Sequence, residues 1–326
     1  MNAPETIAPD RALFLGGSDA ASVMGLSPWA TPVELWEQKT GRKEKEAPDA
    51  VQQKVYDRGH RLEPFIRDMV IDKLRANGLW VELIAHNERY NDPEHAFLSC
   101  EIDFELRLTG DVVIGDEVVT LDGEHVNGDA KSVTGFARKK WGEEDTEDVP
   151  IEYAAQFMHG LMVTGRRLCI VAALKSFDDV DIYWVRRDEE TIDGMRPKLV
   201  SFWVDHVLAD VPPDPIEFSD IKALFPVDNG LAIEASVEVA SKVRDLAEIK
   251  KRIKGLEDDA ELLQFAIADF ISPHSILKYE GKEIATWKGQ QTTRLDQKAL
   301  EEAHPDLAAK FKKTTTVRVL RLKKGA

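Results

Sequence analysis

The segment NGDAKSV, residues 127 to 133, places an acid and a base two residues apart in a stretch whose pattern predicts a β-strand. Side chains alternate along a strand. Asp129 and Lys131 are therefore expected on one face, and Gly128 and Ala130 on the other. An acid and a lysine on one strand face can hold a cation and act on a water molecule beside it.

A second acid belongs to the preceding predicted strand, AFLSCEIDFELRL (96 to 108). Asp103 is expected on its polar face, opposite an apolar face made of Ile102, Phe104, Leu106 and Leu108. If the two strands pair antiparallel, the carboxylates of Asp103 and Asp129 become neighbours. Two carboxylates that close repel each other unless a cation lies between them. Only oxygen ligands are on offer, which favours a hard cation such as Mg²⁺ or Mn²⁺.

A third acid, Glu63, borders the apolar stripe of a predicted helix and can reach the same cation from above the sheet. Lys131 beside this metal would orient or deprotonate water, or stabilise negative charge growing on a phosphate. Each residue alone has an ordinary explanation: Asp103 as a solvated strand acid, and Glu63 as a partner of Arg67 four residues on. The order helix Glu, strand Asp, strand Asp-x-Lys is more specific than any of its members.

The elements around these residues predict an α/β core with a mixed central sheet flanked by helices. The pattern predicts a glycine turn with two short helices, a long helix, three or more strands, a helix, two strands and a closing helix. Their expected positions are 15–41, 58–78, a strand LWVELIAHNERY, the strand 96–108, two strands around an Asp122-Gly123 turn, a helix 151–164, strands RLCIVAAL and DIYWVRR, and a helix 188–209.

A Pro-rich break, DVPPDPIEF, predicts a boundary that separates a domain at 1–209 from an extension at 210–326. Beyond it, apolar residues from Val239 to Phe270 step by three or four. They predict a long helix, a helical hairpin bent near Gly255, or a coiled coil. A small β-hairpin around Glu280-Gly281 and a basic tail follow.

Composition limits the class of protein. The chain has 326 residues, a formal charge of −16 and two cysteines. Two thiols alone cannot hold a structural zinc or an iron–sulfur cluster. No apolar run is long enough to span a membrane, and the first residues lack a signal pattern, so we expect a cytoplasmic protein with no membrane partner. The charge argues against nonspecific nucleic-acid binding through a basic surface, but it is segregated: residues 310–326 carry seven bases and no acid.

Five segments together resemble a known family, the lambda-exonuclease or YqaJ-type phage recombination exonucleases of the PD-(D/E)xK nuclease superfamily. They are LGGSDAASVMGLSPWATPVELWEQKTG at 15–41, RGHRLEP at 58–64, SCEIDFEL at 99–106, NGDAK at 127–131 and PIEYAAQFMHGLMVTG at 150–165. The resemblance implies a restriction-endonuclease-like core. It implies a Mg²⁺-dependent enzyme, with two ions, that digests one strand of linear duplex DNA from its 5′ end.

The same resemblance implies roles for individual residues. Asp103, Asp129 and the Ala130 carbonyl would bind metal, Glu63 would bind it directly or through water, and Lys131 would act on the attacking water. Gln156 would position that lysine or the substrate; without the resemblance it is an ordinary surface amide. Ser18, with Arg11 upstream, would hold a phosphate; the alternative is an ordinary helix cap.

Two departures from the family pattern bear on activity. Asp129 stands where Glu is commoner, and Phe104 stands where the family often has Gly, so Phe104 is expected to crowd the metal. An acidic enzyme that binds a polyanion also needs a local basic path. We expect that path in Arg58, Arg61, Arg138, Lys139 and Lys140, with Trp141 beside it on the DNA backbone or in the core.

Other interpretations stay open on sequence alone. The chain could be an endonuclease of the same superfamily, or a non-catalytic nuclease-like module that binds DNA or a recombination partner. By resemblance, its partners would be double-stranded DNA ends, a single-strand annealing protein, and further copies of itself in a trimeric ring.

Overall fold

The computed structural model describes residues 11–43, 49–133, 135–176, 179–314 and 316–323, apart from the side chain of Phe136. The chain divides into two compact units, Met1–Leu224 and Phe225–Ala326. This division falls later than the Pro-rich break at 210. The reason lies in Asp220, which is fully buried and accepts a 2.6 Å hydrogen bond from the Thr31 hydroxyl, so its segment belongs to the first unit.

The first unit contains six α-helices and five strands among its described residues. In chain order they are a 3₁₀ turn Arg11–Leu13, α1 Gly17–Val23, α2 Pro32–Lys39, α3 Ala50–Ala76, β1 Trp80–Asn91, β2 Ser99–Ile114, β3 Glu117–Ser132, a 3₁₀ segment Gly135–Lys140, α4 Ile151–Thr164, β4 Leu168–Leu174, β5 Val180–Arg186, α5 Glu189–Ser201 with a π-helical continuation Phe202–Leu208, and α6 Phe218–Leu224.

The five strands form one mixed sheet in the order β1-β2-β3-β4-β5. Only β3 and β4 run parallel; the other neighbours are antiparallel. Helix α3 covers one face of the sheet, and α1, α4 and α5 lie on the other. The predicted α/β core with a mixed sheet between helices is confirmed, including the antiparallel pairing of β2 with β3.

Strand β3 corrects one prediction. The segment expected to form two strands around Asp122-Gly123 is a single strand, Glu117–Ser132. Its register against β2 shifts between Leu108 and Thr109, and Gly123 has a positive φ of 67° there. A glycine in this conformation suits a β-bulge as well as a hairpin turn. The turn of the hairpin lies earlier, at Gly115, where φ is 61°.

The helix ends follow from local sequence. Thr31 caps α2, because its hydroxyl accepts from the backbone N–H of Glu34, which in turn caps Thr31. Helix α4 ends at Gly165, whose φ of 70° closes the last turn without strain. Both ends agree with the predicted boundaries.

The second unit contains one long helix, α7 (Val237–Ile271), a hairpin of β6 (Ile276–Tyr279) and β7 (Lys282–Thr286), and the short helices α8 (Gln297–Ala303) and α9 (Pro305–Phe311). Helix α7 is continuous through Gly255, so the helical-hairpin alternative is wrong. Among the described residues, no helix has the length and apolar character needed to cross a membrane.

Candidate active site

A cleft of about 560 Å³ opens at the end of the sheet where β2 and β3 part. Six of the residues singled out from the sequence line it. They are Arg11, Ser18, Glu63, Asp103, Asp129 and Gln156. Helix α3 supplies Glu63 from one face of the sheet and α4 supplies Gln156 from the other, so both helical layers meet the strands at this point.

The parting of two strands places the first carboxylate. Pairing of β2 with β3 ends at Phe104 opposite Gly128, while β3 continues to Ser132 beside β4. The backbone N–H of Ala130 then has no strand partner on the β2 side. It donates a 2.8 Å hydrogen bond to Asp103 Oδ2 instead. A side-chain acceptor thus replaces the missing rung of the ladder.

The alternation expected for β2 breaks at the same place. Ile102 packs in the core beneath α4, whereas Phe104, Leu106 and Leu108 pack in the core beneath α3. The predicted single apolar face from Ile102 to Leu108 is therefore wrong, because the strand turns over as it leaves β3.

Phe104 does not crowd the cleft, contrary to expectation. It is fully buried and its ring lies against Gly128. A Cβ on Gly128 would lie 2.1 Å from that ring, so only glycine fits opposite Phe104. The phenylalanine and the glycine form a matched pair on the α3 side of the sheet.

Asp129, Lys131 and Gln156 form one polar group on the α4 side. Lys131 Nζ lies 2.5 Å from Asp129 Oδ1, and Gln156 Nε2 donates a 3.0 Å hydrogen bond to Asp129 Oδ2. The Lys131 ammonium also lies 5.4 Å and 5.6 Å from the ring centroids of Tyr153 and Phe157. Asp129 Oδ1 is buried and makes this ion pair without a hydrogen bond of ordinary geometry.

The acids shift each other's protonation. Burial, followed by the charge of Asp129, raises the pKa of Asp103 to about 7, and Glu63 acts weakly in the same direction. Burial works to lower the pKa of Lys131, but the carboxylates of Asp129 and Asp103 outweigh it and raise that pKa. Lys131 is therefore a charged hydrogen-bond donor, and not a proton acceptor, beside these acids.

The arrangement was tested as a cation site by its donor set. Asp103 and Asp129 converge, one with a raised pKa and the other with a buried oxygen outside ordinary hydrogen bonding. These features suit a hard cation, which would relieve both. Glu63 lines the same cleft at a greater remove: no three Asp, Glu, His or Cys side chains of the described part of the chain lie close enough together to hold a metal ion.

A second polar group occupies the end of the cleft near α1. Arg11 Nη2 donates a 2.7 Å hydrogen bond to Ser18 Oγ. Asp19 accepts from the Gly16 N–H at 2.9 Å, so this acid caps the start of α1. Lys39, buried beneath the turn, donates 2.7 Å hydrogen bonds to Asp19 Oδ2 and to the carbonyls of Arg11 and of a neighbouring residue, Phe14. The cation and hydroxyl expected to hold a phosphate are thus in contact.

Two contributors escaped the sequence analysis. Arg89 of β1 lines the cleft, pairs with Glu101 at 2.6 Å and lies 4.7 Å from the ring centroid of Phe14. Lys39 holds the turn that carries Arg11. Neither has a local signal, because an arginine on a strand and a lysine at the end of an amphipathic helix are ordinary surface residues by pattern.

The expected basic path is exposed but lies outside the cleft lining. Arg58 and Arg61 lie on α3, and the other exposed cations are Arg138, Lys139 and Lys140. Trp141 is buried, with ring centroids 5.9 Å and 5.2 Å from those of Tyr153 and Tyr183, and so belongs to the core.

The two histidines near the motifs have other places. His159 is buried and bonds to the Ser99 carbonyl at 3.0 Å, whereas His60 lies on the rim of the cleft. Neither takes part in the polar group around Asp129.

Comparison with protein families decides which domain surrounds this cleft. Residues 8–167 match the model of the YqaJ-like viral recombinase domain. The chain contains a YqaJ-like viral recombinase domain. The matched range includes every acid of the cleft, together with Lys131 and Gln156.

Relatives extend the match beyond that domain. The YqaJ protein of Bacillus subtilis (strain 168) is 25% identical over 317 residues, which cover 95% of this chain and 91% of that protein. Two crystal structures share a distant similarity. The alkaline exonuclease LHK-Exo of Laribacter hongkongensis is 19% identical, with a TM-score of 0.42 over 66% of this chain and 95% of that one. A phage-related exonuclease from Haemophilus somnus 129PT is 12% identical, with a TM-score of 0.38 over 61% and 96%.

Proposed function

We propose that this YqaJ-like protein is a Mg²⁺-dependent exonuclease of the PD-(D/E)xK type that degrades linear duplex DNA from its 5′ ends in phage-type homologous recombination. One observation carries the proposal. Asp103, Asp129, Lys131 and Gln156 come from three separate elements and converge at one sheet end. Glu63, Arg11 and Ser18 line the same cleft.

Asp103 and Asp129 would hold the divalent ion, with the Ala130 carbonyl and Glu63, directly or through water, completing its ligands. When bound, Mg²⁺ or Mn²⁺ supplies Lewis acidity, which lowers the pKa of water and offsets charge on phosphate oxygens; we propose two such ions. The remaining work of the site falls to side chains of the chain itself.

Lys131 serves as a fixed positive donor. Its ammonium orients the attacking water and stabilises the negative charge that grows on the phosphate during in-line attack. Because the neighbouring carboxylates raise its pKa, orientation and charge stabilisation fit it better than removal of a proton. Gln156 holds Asp129 through its amide and so fixes the lysine that pairs with the other carboxylate oxygen.

The opposite end of the cleft would receive a terminal phosphate. Arg11 and Ser18 already share a hydrogen bond, and an arginine fork with a hydroxyl is a common phosphate-binding pair. Arg89 lines the same space, with Glu101 neutralising it until an anion arrives. A phosphate anchored there places the next phosphodiester near the acids, which favours attack from a chain end.

Affinity for DNA would rest on local cations, since the net charge is −16. Arg58, Arg61 and the basic 3₁₀ segment Gly135–Lys140 supply exposed positive charge on two sides of the sheet end. Binding should weaken as salt rises, because bound counterions are released when cations contact phosphates. By family resemblance, a single-strand annealing protein would receive the product strand, and a trimeric ring would enclose it.

The test is a digestion time course on linear duplexes labelled at the 5′ or the 3′ end, run with Mg²⁺ or with EDTA. We expect the 5′ label to be released first, with Mg²⁺ only, and closed circular duplex to survive. Asp129→Asn should abolish cleavage, while Asp122→Asn, an exposed acid on the same strand, should cleave normally. Cleavage of circles would favour the endonuclease alternative, and an active Asp129→Asn protein would remove the proposed site.

A further inference from the structure

The long helix α7 has an exposed apolar face. We propose that α7 pairs with α7 of a second copy of this chain as a parallel two-stranded coiled coil. This inference goes beyond the proposed nuclease activity, since none of the cleft residues lies on α7.

The sequence of α7 follows a strict seven-residue repeat for five heptads. The a positions are Val239, Leu246, Ile253, Ala260 and Ile267, and the d positions are Lys242, Ile249, Leu256, Leu263 and Phe270. Nine of these ten residues are apolar. A repeat of 3.5 residues sustained over this length is the pattern of a supercoiled helix pair.

The a and d side chains are open to solvent. From Ile249 to Phe270, the large apolar residues at these positions are 47% to 78% exposed. A stripe of this size on a 35-residue helix leaves much apolar surface in water, which association would remove. Ile at a with Leu at d, as at Ile253 and Leu256, favours two parallel strands. The polar d residue, Lys242, lies in the first heptad and pairs with Glu238 of its own helix at 2.6 Å.

Flanking charges fit the same arrangement. In a parallel, in-register pair, each g residue faces the e residue of the other helix five positions on. Asp245 then faces Lys250 of the second copy, and Arg252 faces Glu257 of the second copy. Both contacts join opposite charges, and symmetry repeats each of them. A second copy of this chain therefore complements the face in charge as well as in apolar pattern.

The first experiment measures the mass of the full chain by sedimentation equilibrium. The parent protein should contain two copies. Ile253→Asp/Leu256→Asp should raise the dissociation constant at least about 100-fold, because two carboxylates per helix would have to be buried. Phe265→Asp is the matched control: Phe265 is 71% exposed at an f position, on the far side of the helix, so this variant should associate as the parent does. Circular dichroism checks that all three proteins stay folded.

The second experiment exchanges charges to test direction. Arg252→Glu should weaken association, and Arg252→Glu/Glu257→Arg should restore it, because the exchanged residues face each other only in the parallel pair. In an antiparallel pair that layers a on d, Arg252 faces Asp259 and Lys250 faces Glu257, so the double exchange would weaken it further. A monomeric or three-copy parent, an unaffected Ile253→Asp/Leu256→Asp variant, or a double exchange that fails to restore association overturns the proposal.

Discussion

Gln156 Nε2 donates a 3.0 Å hydrogen bond to Asp129 Oδ2 and so ties helix α4 to the central strand at the cleft. Close packing fixes this glutamine from behind. A Cβ on Gly17 would lie 3.2 Å from Gln156 Cγ and 3.4 Å from its backbone oxygen, so α1 leaves it little room to move. The amide is therefore a positioning group for the carboxylate.

We predict that Gln156→Ala lowers the rate of DNA cleavage by about 10- to 100-fold, as loss of a partner to a ligand group commonly does. Gln156→Glu should fall at least as far, because a carboxylate at this position cannot donate to Asp129. Single-turnover cleavage measures the effect, and thermal unfolding should change little. Cleavage within twofold of the parent in both variants would contradict this role.

Lys131 should act through its positive charge. Lys131→Met should reduce cleavage by about 10²- to 10⁴-fold. Lys131→Arg keeps a charge beside Asp129 and should lose less. If the two variants fall equally, the lysine is needed for a transferable proton and not for charge, since arginine stays protonated.

The metal-free protein should lose stability as pH rises. Burial, then Asp129, raises the pKa of Asp103 from 3.8 to about 7 in the folded state. Between these values the folded chain holds a proton that the unfolded chain has released, so unfolding becomes easier as pH increases from about 4 to 7. Asp103→Asn removes this titration. In EDTA, the melting temperature of the parent should fall relative to that of Asp103→Asn across this range, and parallel profiles would contradict the shifted pKa.

Gly128→Ala should unfold the first unit or destabilise it by more than about 3 kcal/mol, because the new methyl group would overlap the Phe104 ring. Phe104→Ala alone should cost about 3–5 kcal/mol through the cavity it leaves. The double variant should lose less than the sum of the two, since each change makes room for the other. Denaturant unfolding of the three proteins measures this coupling, and strict additivity would show that the two residues are not in contact.

Lys39→Met should destabilise the protein by about 3–5 kcal/mol, because it leaves the buried carboxylate of Asp19 without its ammonium partner. Lys43→Met is the matched control. Lys43 pairs with Glu34 at 3.3 Å on the surface and should change stability by at most about 0.5 kcal/mol. Lys39→Met should also weaken binding to 5′-phosphorylated ends, since Lys39 holds the backbone of Arg11. Equal effects of the two lysines would refute a structural role for Lys39.

Sequence reasoning brought most of the cleft together. Alternation along β3 predicted that Asp129 and Lys131 share a face, and their 2.5 Å contact agrees. Antiparallel pairing of β2 with β3 predicted that Asp103 lies near Asp129, and their charges do affect each other. These inferences succeeded because strand periodicity and pairing direction are local rules.

What the sequence missed depends on long-range geometry. The place where β2 leaves β3 decides which core Ile102 and Phe104 enter, and no local pattern marks it. Asp122-Gly123 supports a turn or a bulge equally well, so the register of the partner strand decides between them. Lys39 acquires its partners only when α2 packs beneath the first turn of the chain.

The anchor of Asp103 comes from a main-chain amide, and every amino acid but one provides that group. Residue 130 can therefore vary in size and polarity without releasing the aspartate, and proline alone would take the donor away. Drift at this position would leave the carboxylate in place, which makes the orientation of Asp103 a property of the backbone path more than of any neighbouring side chain.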